Sequence, residues 1–337
     1  MFKIKKILNH DPHITRLVIL FIAILAFMAF ARGNQFFQIR VFRSMATQFP
    51  EFGMLALGIV LCLITGGIDL SGVGIANLSS VLGAFIMIAL VPEGTPVGQQ
   101  IPAILLAMLV MVVIGITCGV INGLIITKLH VPPILVTLGT FQIFTGIAVI
   151  LTGGSAITGI PVGYRNLLSF RVFDAIPLSA VFFIVTVVII GILMSKTKFG
   201  TQIILIGTNQ KAAHFSGIKV DRILIRTYLY SGLLATFAGI IMMANYSSAK
   251  ADYGQQYTLQ CVLIAILGGV SPTGGKGNIW GVVLSIAVVQ LIFSALNMLR
   301  ISTFYTSLVW GAVLIIVMLI DYYTTARKLS RISKQKQ

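Results

Sequence analysis

Charged residues are scarce in this sequence. Asp, Glu, Lys and Arg together make up 9% of its 337 residues, whereas soluble domains carry about 25%. Apolar types make up 57% of the chain, and the mean hydropathy is +1.01. This composition excludes a soluble enzyme, a disordered chain and a nucleic-acid-binding domain, so we expect no nucleic-acid partner.

Residue types that perform catalysis or bind metals are equally scarce. The three cysteines lie inside apolar runs without CxxC spacing and are predicted to be small buried hydrophobes. HExxH, GxSxG and paired carboxylates at helical spacing are absent, so we expect no enzyme activity, no cofactor and no metal site. Seven of the eight carboxylates fall in loops or at the ends of apolar runs, and only Asp69 lies in an apolar neighbourhood. The eight are Asp11, Glu51, Asp69, Glu93, Asp174, Asp221, Asp252 and Asp321.

A built-in energy source is also missing. Ion-driven carriers usually hold Asp, Glu or His within the membrane, and this chain has few such residues there. The segment from Gly269 to Gly277 approaches a Walker A loop, but Gly275 separates Gly274 from Lys276 and no Ser or Thr follows the lysine. Uphill transport would therefore need energy from another subunit.

What the sequence does have is long apolar runs. A spanning helix needs about 20 mostly apolar residues, and ten runs approach this length, the eighth being short. They predict an all-α, polytopic transmembrane bundle of about ten spans. The runs are 15–31, 49–65, 73–91, 102–127, 131–151, 177–194, 227–245, 258–267, 279–299 and 302–320.

The distribution of basic residues predicts the orientation. With the N-terminus in the cytoplasm, 17 of the 24 Lys and Arg fall in inner segments and 7 in outer ones, as the positive-inside rule requires. Both termini are therefore predicted to be cytoplasmic, and the first run is interpreted as an uncleaved span. No linker divides the chain, so residues 1–337 are predicted to form one transmembrane domain, with 195–226 as its longest cytoplasmic loop.

Uncharged polar residues inside the runs are candidates for lining a transport pathway. In the fifth run, hydroxyls and aromatic rings recur at three- and four-residue steps and share one helical stripe, which suits a neutral polyol. The alternative is that such residues bind helices to one another in lipid. The candidate lining residues are Asn77, Asn122, Thr137, Thr140, Phe141 and Phe144.

A polar, glycine-rich stretch separates the second and third runs. Gly66, Gly67, Asp69 and Ser71 predict an irregular helix break there. We expect Asp69 or Ser71 to cap the following span by accepting from its free N–H groups. Lining the pathway is the alternative.

The 195–226 loop contains a predicted short helix. Asn209 is a plausible N-cap residue and Gly217 a plausible stop. A helix of this length does not persist alone in water, so it is expected to dock against the chain's own spans or another protein. His214 is interpreted as an interface or surface residue.

Four motifs follow one another along the chain. They are Gly67-Ile68-Asp69-Leu70-Ser71, the stretch from Val131 to Thr140, the stretch from Phe199 to Ile218, and Ile266 to Gly277. In this order they resemble the permease subunit of bacterial ATP-binding-cassette importers, in the ribose-type sugar branch. Segment 247–254 also resembles the branch that serves rhamnose and autoinducer-2. The first motif departs in detail from the usual family pattern, since Gly72-Val73-Gly74 follows it, and the third departs at Thr201 and Thr208.

The resemblance implies a multi-pass protein of the bacterial cell membrane that moves a sugar by alternating access. It implies three kinds of protein partner, namely ATP-binding subunits, a second permease, alike or different, and an extracytoplasmic sugar-binding protein. Alternatives are a nucleoside permease of the same type, an ion-coupled or passive carrier, a channel and a structural scaffold. The residues implied to couple to the ATPase are Asn209, Ala212, Ala213, Ser216, Gly217 and Ile218.

Overall fold

The computed structural model describes residues 12–172, 176–302, 305 and 308–319. Its helices are connected by turns and loops, and two short strands, β1 (Arg171–Val172) and β2 (Ile176–Pro177), pair antiparallel. The helices are α1 (Pro12–Arg32), α2 (Ile39–Ile64), α3 (Gly72–Leu90), α4 (Val97–Lys128), α5 (Pro133–Thr152), α6 (Val162–Ser169), α7 (Leu178–Lys196), α8 (Lys198–Thr208), α9 (Gln210–Phe215), α10 (Val220–Tyr246), α11 (Tyr257–Leu267), α12 (Ile279–Met298) and α13 (Leu308–Leu319).

The predicted all-α membrane bundle is confirmed. Within the described residues, eight helices are long and apolar enough to cross a membrane, and α11 and α13 are shorter apolar helices. The eighth run is short, as predicted. The two tails, which hold eight of the basic residues assigned to the inside, lie outside the described residues, as do Asp11, Asp174 and Asp321. The orientation therefore stays a prediction.

Several predicted boundaries were wrong. Helix α2 begins at Ile39 rather than 49, and α10 begins at Val220 rather than 227. Charged and polar side chains lower the hydropathy of these first turns, but the backbone hydrogen bonding continues through them. The predicted loop 152–176 contains α6, and the predicted loop 195–226 contains α8, α9 and the start of α10.

Helices α2 and α10 form the centre of the bundle. Most residues in their apolar windows are buried, whereas α4, α5 and α7 leave about two thirds or more of theirs unburied. Large apolar side chains such as Leu109, Leu135 and Ile189 are exposed on these outer helices. This pattern is typical of helices that face lipid or a partner chain.

Glycines allow α4 and α10 to pack in backbone contact. Gly115, Gly119 and Gly123 recur every four residues on the face of α4 that meets α10. A Cβ on Gly119 would overlap the carbonyl oxygen of Tyr228, and one on Gly123 would lie 2.8 Å from the Ile225 Cα. Small residues at this spacing are a common means of close helix packing in membranes.

Candidate functional site

The predicted short helix of the 195–226 loop is present as α9. The Asn209 side chain accepts a hydrogen bond from the Ala212 N–H at 3.0 Å, and Gly217 ends the helix with φ +79°. Both predicted ends of the helix are therefore confirmed. Because Gly217 is in the left-handed region, a side chain there would be strained.

One face of α9 packs on the rest of the chain, and the other is open. Ala213 is buried, whereas Phe215 is 88% exposed at the end of the helix. His214 is also exposed. Of the residues implied to couple to an ATPase, Ala212, Ser216 and Gly217 are exposed, Ile218 is half-buried, and Asn209 serves as the cap.

The predicted helix break lies between α2 and α3. The Asp69 carboxylate is buried and accepts hydrogen bonds from the Ser71 N–H at 2.9 Å and the Ser71 hydroxyl at 2.6 Å. Ser71 is the N-cap residue of α3, but the expectation that its side chain caps the helix was wrong, because that side chain makes no capping bond. Asp69 instead accepts from the Ser71 N–H, one of the free N–H groups at the helix start. Asn122 of α4 donates to the Ser71 hydroxyl at 2.8 Å, so the break is also fixed to α4.

The four motifs meet beside α9, at a place that we call the motif junction. The Gly275 N–H donates to the Ile64 carbonyl at 2.9 Å. A Cβ on Gly207, at the end of α8, would overlap that same carbonyl oxygen. Thr137 donates to the Ile68 carbonyl at 3.1 Å, which ties α5 to the break.

A cavity of about 280 Å³ opens next to the motif junction. The two glycines of the break, Pro133 of α5 and Gln210 of α9 line it together with Tyr228 of α10. The Tyr228 hydroxyl is buried and has no hydrogen-bond partner among the described residues. This end of the bundle therefore combines an exposed helix, an irregular backbone and a polar opening.

The predicted lining residues face inward but are bonded to their own chain. Asn77 donates to the carbonyls of Ala251 and Tyr253 at 2.9 Å each. Thr140 and Phe144 of α5 are buried, and Phe141 is half-buried. Asn122 and Thr137 are bonded to the break, whereas Asn77 is bonded to the loop that follows α10. Their role in lining a pathway remains a prediction.

At the end of the bundle opposite α9, the structure shows a polar cluster that the sequence analysis did not predict. Glu51 of α2 is only 1% exposed, although it was predicted to lie at a span end. Its carboxylate accepts from the hydroxyls of Tyr257 at 3.1 Å and Tyr246 at 3.3 Å, and from the side-chain amide of Asn245. A cavity of about 540 Å³ opens beside this cluster.

Most of the chain matches one known protein family. The family described as branched-chain amino acid transport system, permease component, matches residues 41–318. That range includes the break, the motif junction, α9 and the Glu51 cluster. The chain belongs to this permease family.

Individual relatives of the permease are named for more specific substrates than the family is. It is 37% identical over 270 residues to the ribose import permease protein RbsC of Bacillus subtilis, covering 80% of each chain. It is 30% identical over 292 residues to the autoinducer 2 import system permease protein LsrD of Yersinia enterocolitica, covering 85% of this chain and 84% of the relative. No solved structure matches the permease.

These matches confirm the resemblance drawn from the four motifs. The permease is a multi-pass transport protein of the bacterial cell membrane. The sequence motifs led to α9 and the break correctly. The sequence analysis did not select Glu51 as a functional residue. The available indication was that this carboxylate falls among apolar residues inside the predicted 49–65 span.

Proposed function

We propose that the permease is the membrane-spanning subunit of an ATP-binding-cassette importer for a sugar. In this proposal it performs no catalysis, and a separate ATPase drives alternating access. A second permease, alike or different, completes the pathway, and an extracytoplasmic binding protein delivers the sugar. Residues 1–337 act as a single transmembrane domain, with 195–226 as the coupling loop.

The observation that carries the proposal is the exposed Phe215 on a helix fixed by its other face. An aromatic side chain that is 88% exposed in a loop between spans is a typical anchor for a partner protein. Buried Ala213 holds α9 in place, so the helix would transmit force rather than move alone. A groove on the ATPase that accepts Phe215 would provide such a coupling.

Backbone contacts at the motif junction supply a route for that force. Helix α8 leads directly into α9, and Gly207 at its end touches the Ile64 carbonyl at the end of α2. The same carbonyl is bonded to Gly275. Helix α10 begins beside α9 and ends at Asn245 and Tyr246, so one rigid element joins α9 to the Glu51 cluster at the opposite end. Movement of α9 can therefore reach both ends of the bundle.

A sugar is the substrate class that we favour. The relatives RbsC and LsrD are named for the import of ribose and of autoinducer 2, and the described interior offers amides and hydroxyls in place of paired charges. A nucleoside is the second candidate, since it presents the same ribose hydroxyls. The family description names branched-chain amino acids, which are the third candidate substrate.

A pull-down tests the ATPase interface. The wild-type permease and the Phe215→Asp variant are each solubilised from the native membrane and purified. Each eluate is then assayed for ATP hydrolysis. Burying a Phe side chain contributes roughly 2–3 kcal/mol, which corresponds to about 30- to 150-fold in affinity. We therefore expect the wild type to retain ATPase activity and the variant to lose most of it.

Phe170→Asp is the matched control, because Phe170 is 62% exposed but follows α6 at the opposite end of the bundle. It should co-purify with ATPase activity like the wild type. If folded wild-type permease carries no ATPase activity, the importer proposal is wrong and an energy-independent carrier becomes the better hypothesis. If Phe215→Asp retains full activity, the ATPase docks elsewhere.

A further inference from the structure

The cavity beside Glu51 lies at the end of the bundle where a delivered substrate would enter. It has a volume of about 540 Å³, within the range of small-molecule sites. Residues of α2, α6, α10, α11 and α12 line it, so it lies where five helices meet. We propose that this cavity is a binding site for a neutral polyhydroxylated ligand, a monosaccharide, and that Gln260 is one of its specificity-determining residues. This inference rests on the proposed function and names a site for its substrate.

The first observation that points to a ligand is the unpaired side-chain amide of Gln260. It lines the cavity and is only 2% exposed, yet its side-chain nitrogen has no hydrogen-bond partner among the described residues. An unpaired buried polar group is destabilising, and native proteins rarely keep one without a reason. A ligand hydroxyl would supply the missing hydrogen-bond partner of the Gln260 amide. Because a hydroxyl both donates and accepts, it can bond to the amide in either of its two orientations.

The second observation is the hydrogen-bonding capacity that the Glu51 side chain leaves unused. An ionised carboxylate has about four acceptor positions, and a protonated one keeps part of this capacity and adds an O–H donor. Three hydrogen bonds from Asn245, Tyr246 and Tyr257 are present. One position therefore remains for a ligand hydroxyl. These three donors also fix the carboxylate, so it would meet the ligand in a set orientation.

The same cluster disfavours charged ligands. A metal cation needs oxygen lone pairs, but the groups around Glu51 direct N–H and O–H hydrogens at the carboxylate. The positive Arg165 also lines the cavity and would repel a cation. An anion would face the acceptor oxygens of the Glu51 side chain, which is only 1% exposed. A neutral ligand avoids both penalties.

The remaining lining suits a sugar ring. Phe52 and Phe293 supply apolar aromatic surface, and Asn245 and Asn297 supply further amides. Phe52 is held against the ring of Tyr257 with a centroid distance of 5.9 Å. Apolar walls with a few fixed polar groups are the usual composition of a specific small-molecule site.

Gln260→Leu tests the proposal on the full chain in lipid nanodiscs. Binding of radiolabelled D-ribose and L-rhamnose is measured together with the thermal unfolding midpoint without ligand. We expect at least one of the two sugars to bind the wild type, and the variant to bind it about tenfold more weakly. We expect the unfolding midpoint of the variant to be unchanged or higher, because the unpaired amide is gone. A merely structural glutamine would lower the midpoint.

Gln142→Leu is the matched control, since Gln142 is exposed on α5 and does not line the cavity. It should bind the sugar like the wild type. L-Leucine is tested in parallel, and wild-type binding of L-leucine but of neither sugar would overturn the proposal. Absence of sugar binding, or an affinity of Gln260→Leu within twofold of the wild type, would also overturn it. Retained ATPase co-purification would then show that the importer proposal stands although the cavity assignment fails.

Discussion

Replacing Gly119 by alanine tests the packing of α4 against α10. The new Cβ would overlap the Tyr228 carbonyl oxygen and lie 3.2 Å from the Leu229 Cα. Because these neighbours belong to the backbone of a central helix, they cannot move aside as a flexible side chain would. The two helices would have to separate locally along a face that also carries Gly115 and Gly123.

The cost follows from two opposing effects. Overpacking a well-packed contact costs about 1–3 kcal/mol, and a gap of 0.5–1 Å forfeits roughly a quarter to a half of the dispersion attraction across it. Alanine recovers about 0.5–1 kcal/mol because glycine is a poor helix former. We therefore expect Gly119→Ala to lower the free energy of unfolding by roughly 1–2 kcal/mol.

Titration of the purified chain with SDS in mixed micelles, followed by circular dichroism, measures this change. Gly191→Ala on α7 is the control, because nothing lies within 4 Å of its added Cβ. That variant should be as stable as the wild type or slightly more so. If Gly119→Ala proves as stable as Gly191→Ala, the backbone contact between α4 and α10 does not exist as described.

Two further predictions concern the helix break and an exposed ion pair. Ser71→Ala removes the hydroxyl that donates to buried Asp69. In the same titration it should lower the free energy of unfolding by about 1–3 kcal/mol. Ser285→Ala is the control and should leave the free energy of unfolding unchanged, because the buried Ser285 hydroxyl has no partner among the described residues. Lys250→Met should leave the thermal midpoint at pH 7 unchanged, because the Lys250–Asp252 pair at 2.8 Å is on the surface. That hydrogen bond raises the pKa of Lys250 above its usual value, so any small stabilisation is present at pH 7 and is lost only at alkaline pH. A fall of several degrees at pH 7 would contradict this.

Features set by neighbouring residues along the chain were predictable. The spans depend on the length of each apolar run, and the ends of α9 depend on Asn209 and Gly217, which act within one helical turn. The break between α2 and α3 follows from adjacent glycines. Span starts were less accurate, because α2 and α10 continue into polar turns whose helical backbone does not depend on hydropathy.

Features set by contacts between distant residues were not predictable. Asn77 and Asn122 were candidates for a pathway, but their bonds show that Asn77 ties α3 to the loop after α10 and that Asn122 ties α4 to the break. The two roles use the same residue types, so composition alone does not separate them. Only the position of the partner decides.

The sequence by itself determined that this chain is a helical membrane protein, where most helices run, that a short helix lies between Asn209 and Gly217, and which family the chain resembles. The tertiary structure decided that Glu51 is buried, that Asn245 and Tyr257 surround it from positions 194 and 206 residues further along the chain, and that Gln260 opens into the same cavity. Hydropathy and helix capping act over a few residues and can be recognised in a linear pattern. Burial of a polar group depends on which helices pack around it, and that is fixed only when the bundle is assembled.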